Sequence, residues 1–464
     1  MDTYYDVVVL GGGVGGYTAA IQAAKHHLKV ALIEARLLGG VCLNQGCIPT
    51  KAYLKSAAVL RDVQRAAEFG VEASAQGFDF GTIFDRKEKI VDQLRQGVAY
   101  LMQENAITVF EGTGKILSPR QIQVTTGDKV DTLDFRNLII ATGATAKTLP
   151  DLLIDGTRLV TSQELLAQDY LPASLVVIGG GAIGLEWASL LNDFGVQVQV
   201  LEYADQLLAN ETKTISKALK AALTKRGIQI TTGAQVTSSE IEDQSVMIRY
   251  TDANGVAQSA IAEQALVAVG RQARVTGFGL DNTDVILTAK NTIAVDNHYE
   301  TNVPNIFAIG DCIDTLQLAH VAMAEGIHAA DFIAGQDVEP IDYDQVPRCI
   351  YTYPEVAVVG PANIDPDQHP HVKTGIFPYQ ANGKALIEGE SAGSVQVAID
   401  GDTDDLLQVL IVGEHATDMI SEASLGLYLN ASAAEVAATI HPHPTLSETI
   451  RQATLAAKGL ATDI

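Results

Sequence analysis

Two cysteines with four residues between them, Cys42 and Cys47 in Gly39-Gly40-Val41-Cys42-Leu43-Asn44-Gln45-Gly46-Cys47-Ile48-Pro49-Thr50-Lys51, are the most chemically suggestive feature of the chain. At that spacing a tight turn, which Gly46 would assist, brings two thiols within disulfide reach. Two sulfurs do not complete a zinc site, and no other Cys/His cluster at ligand spacing lies nearby, so no metal is expected. Taken alone, the pair is compatible with two buried thiols or with a redox-active dithiol. The remaining cysteines, Cys312 and Cys349, read as buried apolar thiols.

The elements that must position this segment repeat. A short β-branched run, Asp6–Leu10, leads into Gly11, Gly13 and Gly16 at G-x-G-x-x-G spacing, an alanine-rich helical stretch, and a second strand, Lys29–Ile33, that delivers Glu34. The same series recurs at Leu175–Ile178, with Gly179, Gly181 and Gly184, a helix over Leu185–Phe194, a strand over Gln197–Leu201, and Glu202. Each acid follows its first glycine by 23 positions, and the two units are displaced by 168. In such a unit the first glycine permits the turn, the second lets the backbone approach a pyrophosphate, and the third allows close helix–strand packing. The helix N-terminus then presents its N–H groups to the phosphates, and the acid accepts ribose hydroxyls. Two dinucleotide sites are therefore predicted. No arginine adjoins Glu202, and a carboxylate there accepts from a free 2′-hydroxyl and repels a 2′-phosphate, which favours NAD over NADP. A dinucleotide site beside Cys42 and Cys47 makes the redox-active dithiol the better reading of the pair.

The length of 464 residues accommodates two to four packed units. With 47% apolar and 19% charged residues the chain is globular. A net charge of −25 argues against nucleic acid or an anionic membrane as partner, and leaves solubility or docking to a basic partner as its use. Four cysteines are too few for a disulfide scaffold, so a reducing compartment is expected. The N-terminal Met-Asp-Thr-Tyr-Tyr-Asp carries no basic stretch or cleavage pattern, and the most apolar window, Leu171–Leu191, contains glycines and Glu186; a cytoplasmic protein without a membrane span is expected.

Between and after the repeats, residues 84–104 have helical periodicity, and Val109–Leu117, Gln121–Val124 and Leu138–Ala141 read as strands, the last followed by Thr142-Gly143. A linker containing Pro150 and Pro172 precedes the second unit, which Leu266–Val269 with Gly270-Arg271 closes. Ile306–Ile309 places Asp311 just beyond a buried strand, where a parallel sheet puts ligand contacts; a helix N-cap is the alternative for that aspartate. Beyond a polar linker at Asp342–Pro347, alternation at Gly393–Ile399 and Asp405–Val412 predicts an antiparallel sheet with helices.

The Cys42–Lys51 segment resembles the active-site signature of the flavin-dependent pyridine nucleotide–disulfide oxidoreductases. With the C-terminal His441-Pro442-His443-Pro444-Thr445-Leu446-Ser447-Glu448, it looks most like the dihydrolipoamide dehydrogenases within that family, and the likeness extends over essentially the whole chain, including Lys89–Gly114 and Phe377–Gly383. The resemblance implies an α/β fold with two Rossmann-like domains and a C-terminal α+β dimerisation domain. Residues 1–146 would form the FAD domain, 147–268 the NAD domain, 269–343 a central segment completing the FAD domain, and 344–464 the interface domain of a homodimer. FAD would be held by Gly11, Gly13, Gly16, Glu34, Lys51, Gly114, Thr142, Gly143, Asp311 and Ala319, and NAD by Gly179, Gly181, Gly184, Glu186, Glu202 and Gly270.

By the same resemblance Cys42 would be the exchange thiol, Cys47 would lie against the flavin, and Lys51 would stand beside the flavin's reactive nitrogen. His443, fixed by Glu448, would be the base, and the neighbouring His441 would not. The implied partners are dihydrolipoamide on a lipoyl domain and the acyltransferase core of a 2-oxo acid dehydrogenase complex. Glu202 disfavours the NADPH-dependent glutathione and trypanothione reductases, and no cysteine pair follows Cys349 as a mercuric reductase would need. Val321 and Tyr353 depart from the common lysine and histidine of relatives.

Overall fold

The computed structural model of the protein describes residues 3–74 and 77–462. Strand β1 (Tyr4–Leu10) is the β-branched run before the first fingerprint, α1 (Val14–Lys25) the alanine-rich helix after it, and β2 (Val30–Glu34) ends on Glu34. β1 lies parallel to β2 on one side and to strand Lys129–Ile140 on the other. Val7, Val8 and Val9 are fully buried, so both faces of β1 are covered and its sequence is a continuous apolar run rather than an alternation. Thr108–Glu111 extends the sheet beyond β2. On the far side of Lys129–Ile140 the edge is shared: its first half pairs antiparallel with Gln121–Thr126, its last residues parallel with Ile306–Ala308.

Packing divides the chain into two compact units. The first takes residues up to Tyr53, Asp79–Lys147 and Gly270–Ile341; the second takes Leu54–Phe78, Thr148–Val269 and the chain from Asp342 onward.

The second unit repeats the plan with strand Ser174–Ile178, helix Ala182–Asp193 and strand Gln197–Glu202 inside a five-stranded, all-parallel sheet. An antiparallel meander over Gln235–Ile241, Val246–Thr251 and Ala257–Ala262 lays Val246, Ile248 and Tyr250 against Val176, Ile178 and Val267 of that sheet. The stretch between Pro150 and Pro172 is more than the linker expected from its prolines. It contains strand Leu159–Val160, parallel to Ala265–Leu266, and helix Ser162–Ala167, closed by a capping box between Thr161 and Glu164. Two strand residues are too few to show a period.

In the last part of the same unit, five antiparallel strands run in the order Arg348–Ile350, Glu355–Val359, Leu406–Gly413, Ser394–Asp400, Val372–Pro378. Helices Ala416–Tyr428 and Glu448–Ala457 bury Met419, Ile420, Ile450 and Ala453 against Val395, Val397 and Val409 of that sheet. Among the described residues no helix is long and apolar enough to cross a membrane.

Candidate active site

The two fingerprints are built alike, glycine by glycine. Gly11 and Gly179 have φ of +111° and +115°, and a Cβ on either would lie 2.3 Å from the carbonyl oxygen of Ala141 or Ala268. A Cβ on Gly16 or Gly184 would lie 1.9 or 2.2 Å from the carbonyl oxygen of Gly11 or Gly179. The middle glycines differ. Around Gly13 the nearest atom to a Cβ would be Gly40 Cα at 3.9 Å, and nothing lies within 4 Å at Gly181. The first and third glycines are thus demanded by the chain's own packing, the second by nothing in it. Gly13 and Gly181 are also the N-caps of their helices, with no side chain bonded to the helix N-terminus. Unspent N–H groups beside cleared space are what a pyrophosphate needs, so both loops fit a dinucleotide.

The two acids share one construction as well. Glu34 Oε2 accepts the Gly12 N–H at 2.7 Å and Oε1 the Arg36 N–H at 2.7 Å. Glu202 accepts the Gly180 N–H on Oε2 and the Ala204 N–H on Oε1, the latter at 2.6 Å. Each carboxylate therefore latches the glycine loop to the end of the second strand and keeps lone pairs for ribose hydroxyls.

Asp311 lies within a 3₁₀ turn, Gly310–Cys312, that follows Ile306–Ala308, so it is not a helix N-cap; its Oδ2 accepts from Arg271 Nε at 3.2 Å. Thr142 donates its hydroxyl to the Arg274 carbonyl, and Gly143, at φ +69°, has no neighbour within 4 Å of a Cβ. Ala319 is the first residue of the uncapped helix Ala319–Ile333. Gly114 is buried beneath Leu10 and Ile33, which leaves only its backbone for a ligand. Gly270 falls in the first unit, whereas Gly179, Gly181, Gly184, Glu186 and Glu202 fall in the second.

The cysteine segment folds into two helices, α2 (Gly40–Gln45) and α3 (Cys47–Arg65), broken at Gly46, where a Cβ would press to 3.0 Å on the Val41 carbonyl and 3.3 Å on Cys42 Cα. Cys42 sits in α2, and Cys47 is the first residue of the 19-residue α3, where the helix dipole favours a thiolate. Both are half-buried. A hydrogen bond with Cys47 pushes the Cys42 thiol up, burial and the Cys47 charge push the same way, and the Lys51 ammonium pulls it down. Cys312 is fully buried and its thiol is pushed up to about 12 by that burial, as a bystander would be; Cys349 is half-buried on strand Arg348–Ile350.

In the second unit, His443 Nδ1 faces Glu448 Oε1 at 3.0 Å, and Glu448 Oε2 accepts the Thr445 N–H at 2.8 Å. The His443 side chain is 80% exposed, so its other nitrogen faces outward. Burial works to raise the Glu448 carboxyl, but the Thr445 N–H and His443 outweigh it and hold the group below its ordinary range. His441, by contrast, is 4% exposed, with Nε2 2.7 Å from Glu422 and Nδ1 3.1 Å from the Thr439 carbonyl, so both its nitrogens are spent. Glu186 accepts the Tyr351 N–H at 3.0 Å. Tyr353 stands between the Arg61 and Arg226 guanidiniums, 3.9 and 5.2 Å from its ring centroid, with its hydroxyl donated to Glu390. Val321 is 2% exposed, which makes it a core position rather than a surface one.

Residues 5–326 match the family model described as pyridine nucleotide-disulphide oxidoreductase, and residues 346–454 match that family's dimerisation domain. The chain belongs to this family. A dihydrolipoyl dehydrogenase of Bacillus subtilis (strain 168) is 47% identical to it over 474 aligned residues, covering 99% of each chain. Another, from Zymomonas mobilis subsp. mobilis, is 40% identical over 464 residues, again 99% of each. The crystal structure of LpdA from Mycobacterium tuberculosis superposes with a TM-score of 0.90 at 26% identity, covering 97% of this chain and 99% of that one. Membership of the pyridine nucleotide-disulphide oxidoreductases makes the protein an FAD- and NAD-dependent oxidoreductase with an α/β fold and a C-terminal dimerisation domain, as the resemblance in sequence implied.

Sequence reasoning in terms of this family missed two residues at the flavin-type site. Arg271 reaches Asp311, as described, and Glu325, wholly buried on helix Ala319–Ile333, accepts from the backbone beside it. A charged residue among the small residues of Ala319–Ile333 is the signal that points to Glu325.

Proposed function

We propose that this protein oxidises dihydrolipoamide to lipoamide while NAD is reduced to NADH, serving lipoyl domains on the acyltransferase core of a 2-oxo acid dehydrogenase complex. The observation that carries the reading is the arrangement of Cys42 and Cys47: two thiols across one helix break, one at the N-terminus of α3, the other beside Lys51. Thiol–disulfide exchange needs one sulfur for the substrate and one stabilised leaving thiolate, and Cys47 at the helix N-terminus fits the second role.

In the oxidised pair a substrate thiolate attacks Cys42 Sγ; the Cys42–Cys47 bond breaks and its electron pair leaves on Cys47. The second substrate thiolate attacks the substrate sulfur of the mixed disulfide, which releases lipoamide and Cys42. Of the two substrate protons, one passes to His443 and one stays on Cys42. Glu448 fixes the His443 tautomer so that the outward nitrogen is the base. His443 acts on the cysteine pair of the second copy in the homodimer.

FAD, when bound, supplies the two-electron carrier between the dithiol and the nicotinamide. Gly11, Gly13, Gly16 and Glu34 hold its adenosine pyrophosphate end, and Lys51, Gly114, Thr142, Gly143, Asp311 and Ala319 hold the remainder. Gly179, Gly181, Gly184 and Glu202 would hold NAD, with Glu186 toward its nicotinamide. Because Glu202 stands where a 2′-phosphate would lie, NADP is a poor substitute for NAD. The test is a steady-state assay of NADH formation with dihydrolipoamide, run beside glutathione and NADPH. Turnover of glutathione disulfide with NADPH in place of dihydrolipoamide and NAD would sink the reading.

A further inference from the structure

Helix Ala319–Ile333 touches both ends of the flavin-type site through one face. At Ala322 and Gly326 it meets α1 backbone to backbone: a Cβ on Gly15 would lie 2.8 Å from the Ala322 carbonyl oxygen, and a Cβ on Gly326 2.6 Å from the Gly15 carbonyl oxygen. Between those two positions in the chain, on the same helix, Glu325 is 0% exposed. Its Oε2 accepts the Gly310 N–H at 2.6 Å and its Oε1 the Thr315 hydroxyl at 2.7 Å. Gly310 and Thr315 bracket the turn that carries Asp311.

A fully buried carboxylate is costly to desolvate, and an apolar side chain would fill the helix face without that cost. What the carboxylate adds is two charge-assisted hydrogen bonds of short reach to both sides of the Asp311 turn. The helix that fixes the height of the phosphate-binding N-terminus of α1 thereby fixes the height of Asp311 as well.

We propose that Glu325 is the positioning residue of the flavin site, setting Asp311 relative to the pyrophosphate loop; this rests on the reading that Asp311 and the Gly11–Gly16 loop hold FAD. A glutamine can point its oxygen at the Gly310 N–H and its amide at the Thr315 hydroxyl oxygen, which is able to accept, so Glu325→Gln preserves the positioning. Glu325→Ala takes the acceptor from two donors, and Thr315→Val removes the hydroxyl that donates to Oε1.

The experiment is titration of each full-length apoprotein with FAD, followed by flavin fluorescence and by visible circular dichroism of the bound flavin, with far-ultraviolet circular dichroism to establish folding. Expected are a dissociation constant for FAD raised about tenfold or more in Glu325→Ala, several-fold in Thr315→Val, and within about threefold of the parent in Glu325→Gln. The flavin dichroism should change in the first two and be restored in the third. A merely structural role would lower apoprotein melting temperatures and leave the affinity of the folded fraction unchanged. Folded Glu325→Ala or Thr315→Val that binds FAD as the parent does overturns the proposal, and so does a Glu325→Gln variant as impaired as Glu325→Ala; if Glu325→Ala does not fold, Thr315→Val decides. Asp311→Asn and Gly13→Ala serve as controls: full affinity in both means that the flavin reading itself has failed, whereas loss in both with normal Thr315→Val and Glu325→Ala refutes only the role of Glu325.

Discussion

Adding one methyl group at Gly13 and at Gly16 should produce opposite failures. At Gly16 the new Cβ lies 1.9 Å from the Gly11 carbonyl oxygen, more than an ångström inside the 3.0 Å that real Cβ atoms respect. Neither partner is a flexible side chain, so α1 must shift from β1 or the loop must deform, at a cost of about 1–3 kcal/mol for an overpacked core. A unit of this size loses about 2–4 °C in melting temperature per kcal/mol, and the loss should appear in the apoprotein. At Gly13 the Cβ has no chain atom closer than 3.9 Å, so Gly13→Ala apoprotein should melt within about 1 °C of the parent. Its methyl group, however, occupies the space proposed for the pyrophosphate, and weakening by at least about tenfold corresponds to only about 1.4 kcal/mol. The assay is the ratio of flavin to protein absorbance after gel filtration, paired with apoprotein melting curves. Gly181→Ala and Gly184→Ala should repeat the contrast for NAD in the second unit. Gly13→Ala with full flavin content, or Gly16→Ala apoprotein as stable as the parent, would refute the glycine-by-glycine reasoning.

Cys42→Ser and Cys47→Ser should each abolish dihydrolipoamide-dependent NAD reduction while the protein stays yellow with bound FAD; near-normal turnover in either would move the chemistry elsewhere. His443→Gln should cost at least about a hundredfold in rate, measured as NADH formation, and an unchanged rate would reassign the base. Because the Glu448 carboxyl is held below its ordinary range in the folded chain, its contribution to stability is present above the unfolded value and lost as pH falls through the folded one. Melting temperatures of the parent and Glu448→Gln should therefore converge on acidification, and a gap that stays constant or widens as the pH drops would contradict the assignment. If the charge of −25 serves docking to a basic domain of an acyltransferase core, association measured by sedimentation should weaken steeply with salt; salt-insensitive binding would leave the charge a matter of solubility.

The glycine fingerprints were legible because their physics is local: a turn, a cleared position and a close helix contact lie within six residues, and the acid follows at the end of the next strand. Asp311 was legible as the residue beyond a buried strand, and the structure removed its alternative as a helix cap. Glu325 was not, because its partners, Gly310 and Thr315, become neighbours only once the strand, turn and helix have folded back on one another. Helix α3 starting at Cys47 was likewise hidden, since the break at Gly46 depends on how closely Val41 and Cys42 pack upon it. The meander over Gln235–Ala262 escaped because its alternation is diluted by exposed polar and small residues. The His443–Glu448 pairing came from its motif, and geometry supplied what the motif lacked: the reason that His441, with both nitrogens occupied, is unsuited to be the base.

The hydrogen bond between the two thiols also makes the dithiol a proton-linked electrode. A reduced pair in which Cys42, its thiol pushed up by Cys47, keeps its proton while Cys47, at the N-terminus of α3, gives its own up would hold one proton instead of two or none. A couple taking up two electrons and one proton changes its midpoint potential by about 30 mV per pH unit, half the slope of an exposed dithiol below its pKa. A change of one pH unit in the surrounding solution would thus tilt the equilibrium between protein dithiol and lipoyl dithiol by about tenfold relative to an unperturbed pair, toward the protein's reduced form as pH rises.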